Sequence, residues 1–131
     1  MKKKSLLSTV FLISLLPMLL NQYGGMKGVQ EITGLINLVN PIGLAAAATF
    51  LIGVGVPFQK KILNTILGAA GCIGMVVSEV YKFFTWHVLT ITGEISLQHS
   101  IRFAFPEFYV GLCASVIMVV IYFVITVKVK D

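Results

Sequence analysis

The chain carries two histidines, His87 and His99, twelve residues apart at the ends of HVLTITGEISLQH. Imidazole titrates near neutral pH and ligates metals, so a facing pair is a candidate pH sensor or half of a zinc site. Between them, Leu89, Ile91, Ile95 and Leu97 share one parity. Thr90, Thr92, Glu94, Ser96 and Gln98 share the other. That period of two, with β-branched residues and a central Gly93, predicts a β-hairpin. In its natural register Ile91 faces Ile95, Leu89 faces Leu97 and His87 faces His99. Directly opposed side chains lie about 4.5–5.5 Å apart at Cβ. No third ligand stands at a matching spacing, so ordinary polar surface is the competing reading.

A second set of titratable residues precedes the hairpin. Glu79 and Lys82, three apart on a helical pattern, are positioned to pair. With Trp86, His87, His99 and Arg102 they form the candidate partner-contact or polar-path residues, and Asn64 joins them if a path exists. An ionisable group inside an apolar segment is a functional candidate by default. Tyr81, Phe83, Phe84 and Trp86 read as an aromatic belt at a membrane surface. Cys72 and Cys113 show no C-x-x-C spacing and read as small packing residues without a disulfide. No nucleophile–base pairing, metal-ligand cluster or phosphate-binding motif is present in the pattern. The expectation is therefore a protein that is not an enzyme and needs no cofactor.

The elements that must position these residues are apolar. The 131 residues are 57% hydrophobic and only 11% charged, with mean hydropathy +0.95. A soluble domain is roughly half apolar and a quarter charged. Too little charge remains for a water-facing surface. The predicted class is an all-α integral membrane protein, a compact bundle of four transmembrane helices forming a single membrane domain. The spans are 5–20, 42–58, 62–84 and 108–127. They are joined by an outer loop 21–41, an inner turn 59–61 and an outer loop 85–107, with a tail at 128–131. Segment 5–20 follows MKKK and also fits a signal peptide, but no A-x-A-like site follows it. It is read as a retained span; cleavage would leave the orientation of the rest unchanged.

Net charge is +5, and its placement points to orientation and not to nucleic acid. Lys2, Lys3, Lys4, Lys60, Lys61, Lys128 and Lys130 all fall on one side of the four-span arrangement. The remaining basic residues, Lys27, Lys82 and Arg102, fall on the other side together with Glu31, Glu79, Glu94 and Glu107. Lys and Arg collect on cytoplasmic loops. Both termini are thus expected in the cytoplasm of a bacterial cell membrane.

Membrane helices associate where small side chains let backbones approach. Ala45, Thr49 and Gly53 form one such stripe. Gly68 with Cys72, Ala70 with Gly74, and Gly111 with Ser115 form others, predicting close packing of the second span on the third with the fourth joining. Pro17 is expected to kink the first span, and Pro41 behind Asn40 to start the second. In outer loop 1, Val29, Ile32, Ile36 and Val39 recur at helical spacing, predicting a short interfacial helix with its apolar face down.

The functional expectation is non-enzymatic. One class is a small bacterial membrane protein that binds another membrane protein, as an accessory subunit of a transporter or sensor or as an immunity-type protein. The other is a small oligomeric transporter or pore. The implied partners are the bilayer and either another membrane protein or further copies of this chain.

Overall fold

In the computed structural model, residues 2–23, 32–85 and 104–129 are described. Four α-helices run through them: α1 (Lys2–Ser14), α2 (Pro41–Gly55), α3 (Lys61–Thr85) and α4 (Pro106–Lys128). Two short strands, β1 (Asn21–Tyr23) and β2 (Ile32–Thr33), pair antiparallel. Helices α3 and α4 are long and apolar enough to cross a membrane. Helix α2 has 15 residues and α1 has 13. At 1.5 Å per residue they reach only about 20–23 Å, short of a ~30 Å hydrocarbon core.

Each short helix has a local cause. Pro17 does not kink a continuous helix, as the sequence suggests, but follows its end. The α-helix stops at Ser14, whose Oγ donates to the Phe11 carbonyl at 2.6 Å. A 3-10 turn, Leu16–Leu19, then takes over with Pro17 in its first positions. The proline disfavours α geometry in the residue before it and has no N–H to continue the ladder. Together the helix and turn cover about 28 Å. Helix α2 starts where Asn40, in an extended conformation, caps it. Asn40 Oδ1 accepts from Ile42 N and Gly43 N, both at 3.0 Å, and Pro41 opens the first turn.

The tightest helix pairing is α2 against α3, antiparallel. A methyl on Gly71 would lie 2.5 Å from Phe50 Cβ, and one on Gly74 would lie 2.9 Å from Ala46 Cβ. Gly53 meets the Gly68 backbone in the same seam. The buried face of α2 is Gly43, Ala46, Phe50 and Gly53. Ala45 is exposed and Thr49 is directed back to its own helix, donating to the Ala45 carbonyl at 2.7 Å. The small stripe that carries the packing therefore lies one residue round from the one read in the sequence, sharing only Gly53. In a run as uniform as AAAAT, periodicity does not distinguish adjacent faces. The bulky Phe50 decides it: Gly71 lets its backbone approach α3 closely, and its ring is taken up between Phe11 and Tyr122. On α3, Gly68 and Cys72 are buried, Gly74 is half-buried and Ala70 is exposed. On α4, Gly111 and Ser115 are buried.

The central core is apolar and aromatic. Phe11 stacks on Phe50 with centroids 4.0 Å apart, and Phe50 meets Tyr122 edge-on at 6.2 Å. Cys72, Met75 and Met118 close the space around them. A smaller cluster, Tyr23, Phe83 and Phe108, lies toward the start of α4. Phe83 is thus buried inside the protein, stacked on Phe108 at 4.9 Å, and is not part of a lipid-facing belt. Tyr81 and Phe84 keep more of their surface.

Outer loop 1 departs from the interfacial helix expected there. Its described part is strand β1, then strand β2 followed by a single 3-10 turn, Gly34–Asn37. Val39 is 64% exposed while Asn37 is fully buried. The polar residue points in because it finds hydrogen-bonding partners there. Val29 and the expected hairpin at 87–99 lie outside the described residues.

Candidate functional site: a buried polar network at the capped end

One end of the bundle is closed by a lid of non-helical chain. Strand β1 is its centre. Gly34 N donates to the Leu20 carbonyl, and Phe105 N to the Gln22 carbonyl, each at 2.8 Å. Ala104 bridges Tyr23. The approaches to α2 and α4 thus meet on the segment that leaves α1.

Beneath the lid lies a cluster of polar side chains with almost no exposure: Gln22, Tyr23, Asn37, Asn40, Ser78, Glu79 and Ser115. Most of it is one connected chain. Tyr23 Oη donates to Asn37 Oδ1 at 2.6 Å. Asn37 Nδ2 donates to Gln22 Oε1 at 2.7 Å, and Gln22 Nε2 to the Pro17 carbonyl at 2.8 Å. Asn40 Nδ2 reaches the carbonyls of Ile36 and Asn37, both at 2.8 Å, and Ser78 Oγ at 2.9 Å. Ser78 Oγ in turn donates to the Asn37 carbonyl. The network therefore ties the lid to α2 through its capping residue and to α3 through Ser78. Gly34 and Gly111 leave the room that the Gln22 side chain fills. Burial pushes the Tyr23 phenol well above its ordinary range, the Asn37 hydrogen bond opposes this, and the nearby Glu79 charge adds to it.

Glu79, with Ser115 opposite it, is the exception in an otherwise satisfied cluster. It is 1% exposed, on the α3 face toward α4, where Ser115 faces it. Neither Glu79 Oε2 nor Ser115 Oγ closes a hydrogen bond within ordinary geometry. A buried carboxylate left in that state costs several kcal/mol. The expected Glu79–Lys82 pair does not form. The Lys82 ammonium lies 5.4 Å from the Tyr81 ring centroid instead, because a three-residue offset turns Glu79 into the bundle and Lys82 toward its edge.

Asn64, the third residue of the expected polar path, sits at the other end. Its Nδ2 donates to the carbonyls of Gly53 and Val56, both at 2.6 Å, closing the end of α2. Fifteen residues of α3 separate it from Glu79, about 22 Å, with the Phe11–Phe50 stack and its neighbours between the two levels. Trp86, His87, His99 and Arg102 lie outside the described residues.

The network's hydrogen bonds fasten the lid to the helices. Ser78 donates to a backbone carbonyl. No group of three or more His, Cys, Asp or Glu that could hold a metal occurs among the described residues. Both cysteines are free, Cys72 buried and Cys113 exposed. The sequence reading passed over Gln22, Tyr23, Asn37 and Ser78. Their signal is faint but real: amides and hydroxyls scattered where 57% of residues are hydrophobic need partners, and Asn37 and Asn40 are three apart beside a helix start. Comparison with known proteins matched no family model, no curated protein and no solved structure.

Proposed function

We propose that this chain is a small multi-pass protein of the bacterial cytoplasmic membrane that acts without catalysis, by binding another membrane protein. Accessory subunit and immunity-type protein are its two forms. The observation that carries the reading is the lid. Three approaches, from α1 and into α2 and α4, are locked onto one another and onto α3 by buried hydrogen bonds. A platform of that kind holds the described ends of outer loops 21–41 and 85–107, at 21–23, 32–41 and 104–105, in a fixed frame, as recognition requires. Lys3, Lys4, Lys61 and Lys128 gather at the opposite end, which supports both termini being cytoplasmic. In this arrangement α1 with its 3-10 turn and α2 with the buried segment before it complete four crossings.

The second reading, an oligomeric transporter or pore, requires a polar route. Within one copy Glu79 and Asn64 stand at separate levels with an aromatic core between them, so any route runs between copies. Reconstitution separates the two. The purified protein in liposomes is expected to carry no flux of protons, alkali cations or chloride above empty vesicles. Photocrosslinkers at positions 28 and 93 are expected to capture one discrete membrane partner from intact cells. Sustained flux by the purified protein would replace the first reading with the second. Cysteines at positions 28 and 93 should label from outside and one at 60 only after permeabilisation; the reverse pattern would overturn the orientation.

A further inference from the structure

The end opposite the lid holds a half-enclosed cavity of about 300 Å³, at the lower bound of ordinary small-ligand sites. All four helices contribute. Lys3 and Lys4 come from α1, Lys61 and Asn64 from α3, Tyr122 and Thr126 from α4, and the end of α2 forms the remaining wall. Among the described residues, three lysines line it and no acid does. Two of them answer helix C-termini. Lys3 Nζ donates to the Thr126 carbonyl at 3.1 Å and Lys4 Nζ to the Gly55 carbonyl at 2.9 Å. A helix end carries only about half an elementary charge, so the exposed Lys4 ammonium is only partly offset by the Gly55 carbonyl. Lys61 opens α3, whose own N-terminus is positive; its carbonyl accepts from Thr65 Oγ1, and its ammonium is exposed beside the cavity. Tyr122 and Thr126 add hydroxyls to the α4 wall, and a hydroxyl can donate to an anion.

The cavity is thus electropositive and sits where four helix ends converge. Apolar side chains surround that end and face outward. Leu6 is 37% exposed, Ile62 63% and Val127 74%.

We infer that this cavity binds the phosphate headgroup of an anionic membrane lipid, with Lys4 and Lys61 as its principal ligands and the acyl chains lying on the exposed faces of the adjoining helices. The inference rests on the membrane reading above. Basic pockets between helices at the cytoplasmic surface have the chemistry for such headgroups. Inorganic phosphate shares the anionic group, but it would leave the apolar surround without a role, which favours the lipid.

Native mass spectrometry of the detergent-purified protein tests this, with equal amounts of phosphatidylglycerol and phosphatidylcholine of matched chains. Phosphatidylglycerol is expected to be retained on the order of tenfold over phosphatidylcholine at low salt, since each lysine contributes about fivefold, and less as salt rises. Lys4→Gln with Lys61→Gln should bring the two lipids close to parity. Lys60→Gln and Lys128→Gln, at the same end but outside the cavity, should leave the preference. Equal retention by the unmodified protein overturns the inference, as does an equal loss in the Lys60→Gln and Lys128→Gln controls. Loss of the preference to inorganic phosphate at matched concentration makes this a free-anion site and overturns the lipid assignment. Circular dichroism shows whether the double variant folds; if it does not, the salt and phosphate arms on the unmodified protein decide. A carbonate wash keeps the two readings apart. Protein released from membranes by the wash defeats the membrane reading, whereas protein retained but indifferent to phosphatidylglycerol defeats only this one.

Discussion

The two ends of the bundle solve the same problem by opposite means. Each must satisfy helix termini and connecting backbone. At the capped end neutral amides and hydroxyls do so from within, through bonds of 2.6–2.9 Å between groups with essentially no exposure. At the basic end lysines reach across to carbonyls from half-exposed or exposed positions. Buried neutral networks are costly to break and indifferent to salt. Exposed ammonium–carbonyl contacts are cheap to break and screened by salt. The difference assigns rigidity to one end and adaptability to the other.

The sharpest way to break that contrast is at Asn37, which joins Tyr23 to Gln22. Asn37→Leu leaves both partners buried without it, and each orphaned group costs about 1–3 kcal/mol. A loss of roughly 3–5 kcal/mol is expected in denaturant unfolding of the detergent-solubilised protein. A loss below 1 kcal/mol would mean that the lid is not fastened through this network.

Tyr23 gives the next effect. Its phenol is held above the ordinary value of about 10 by burial. The unfolded state therefore releases the proton first, and the associated stability is complete below about pH 10 and declines above it. Tyr23→Phe should cost about 1–2 kcal/mol at neutral pH and should make the alkaline decline shallower than in the unmodified protein. Parallel declines would show that Tyr23 is not the group responsible.

Glu79 sharpens the comparison from inside the capped end. Glu79→Gln removes a charge that lacks a partner at Oε2 and adds a donor near Ser115. Replacing an ill-paired buried charge is neutral or stabilising, so a gain of about 1 kcal/mol in unfolding free energy is expected. A loss of several kcal/mol would reveal that the carboxyl has an essential partner.

The smallest effect belongs to the basic end. Lys4→Gln should cost under about 1 kcal/mol, and that cost should vanish in high salt. A salt-independent loss matching that of Asn37→Leu would erase the distinction between the ends.

Much of the scaffold was legible before any coordinates. The lengths of α3 and α4 follow from apolar runs, and the start of α2 follows from Asn40-Pro41, where a cap and a proline agree locally. The gathering of lysines at one end also shows in their order along the chain. The candidate site was not legible in the same way. Glu79 stood out as a charge in an apolar segment, but its neighbour in sequence, Lys82, is not its neighbour in space. The stripe in loop 1 pointed Val39 inward, and the fold places Asn37 there.

Composition, run length and the spacing of breakers thus determined the helical class, the two long apolar helices and the basic end, since each depends on one residue or one contiguous segment. Tertiary structure alone decided which face of α2 meets α3, that Pro17 follows the end of a helix and does not bend it, and that five amides and hydroxyls from four segments share one buried network. Those outcomes depend on groups far apart in the chain. A hydrogen bond between Asn40 and Ser78 spans 38 residues, and no local pattern encodes a partner that only folding brings within reach.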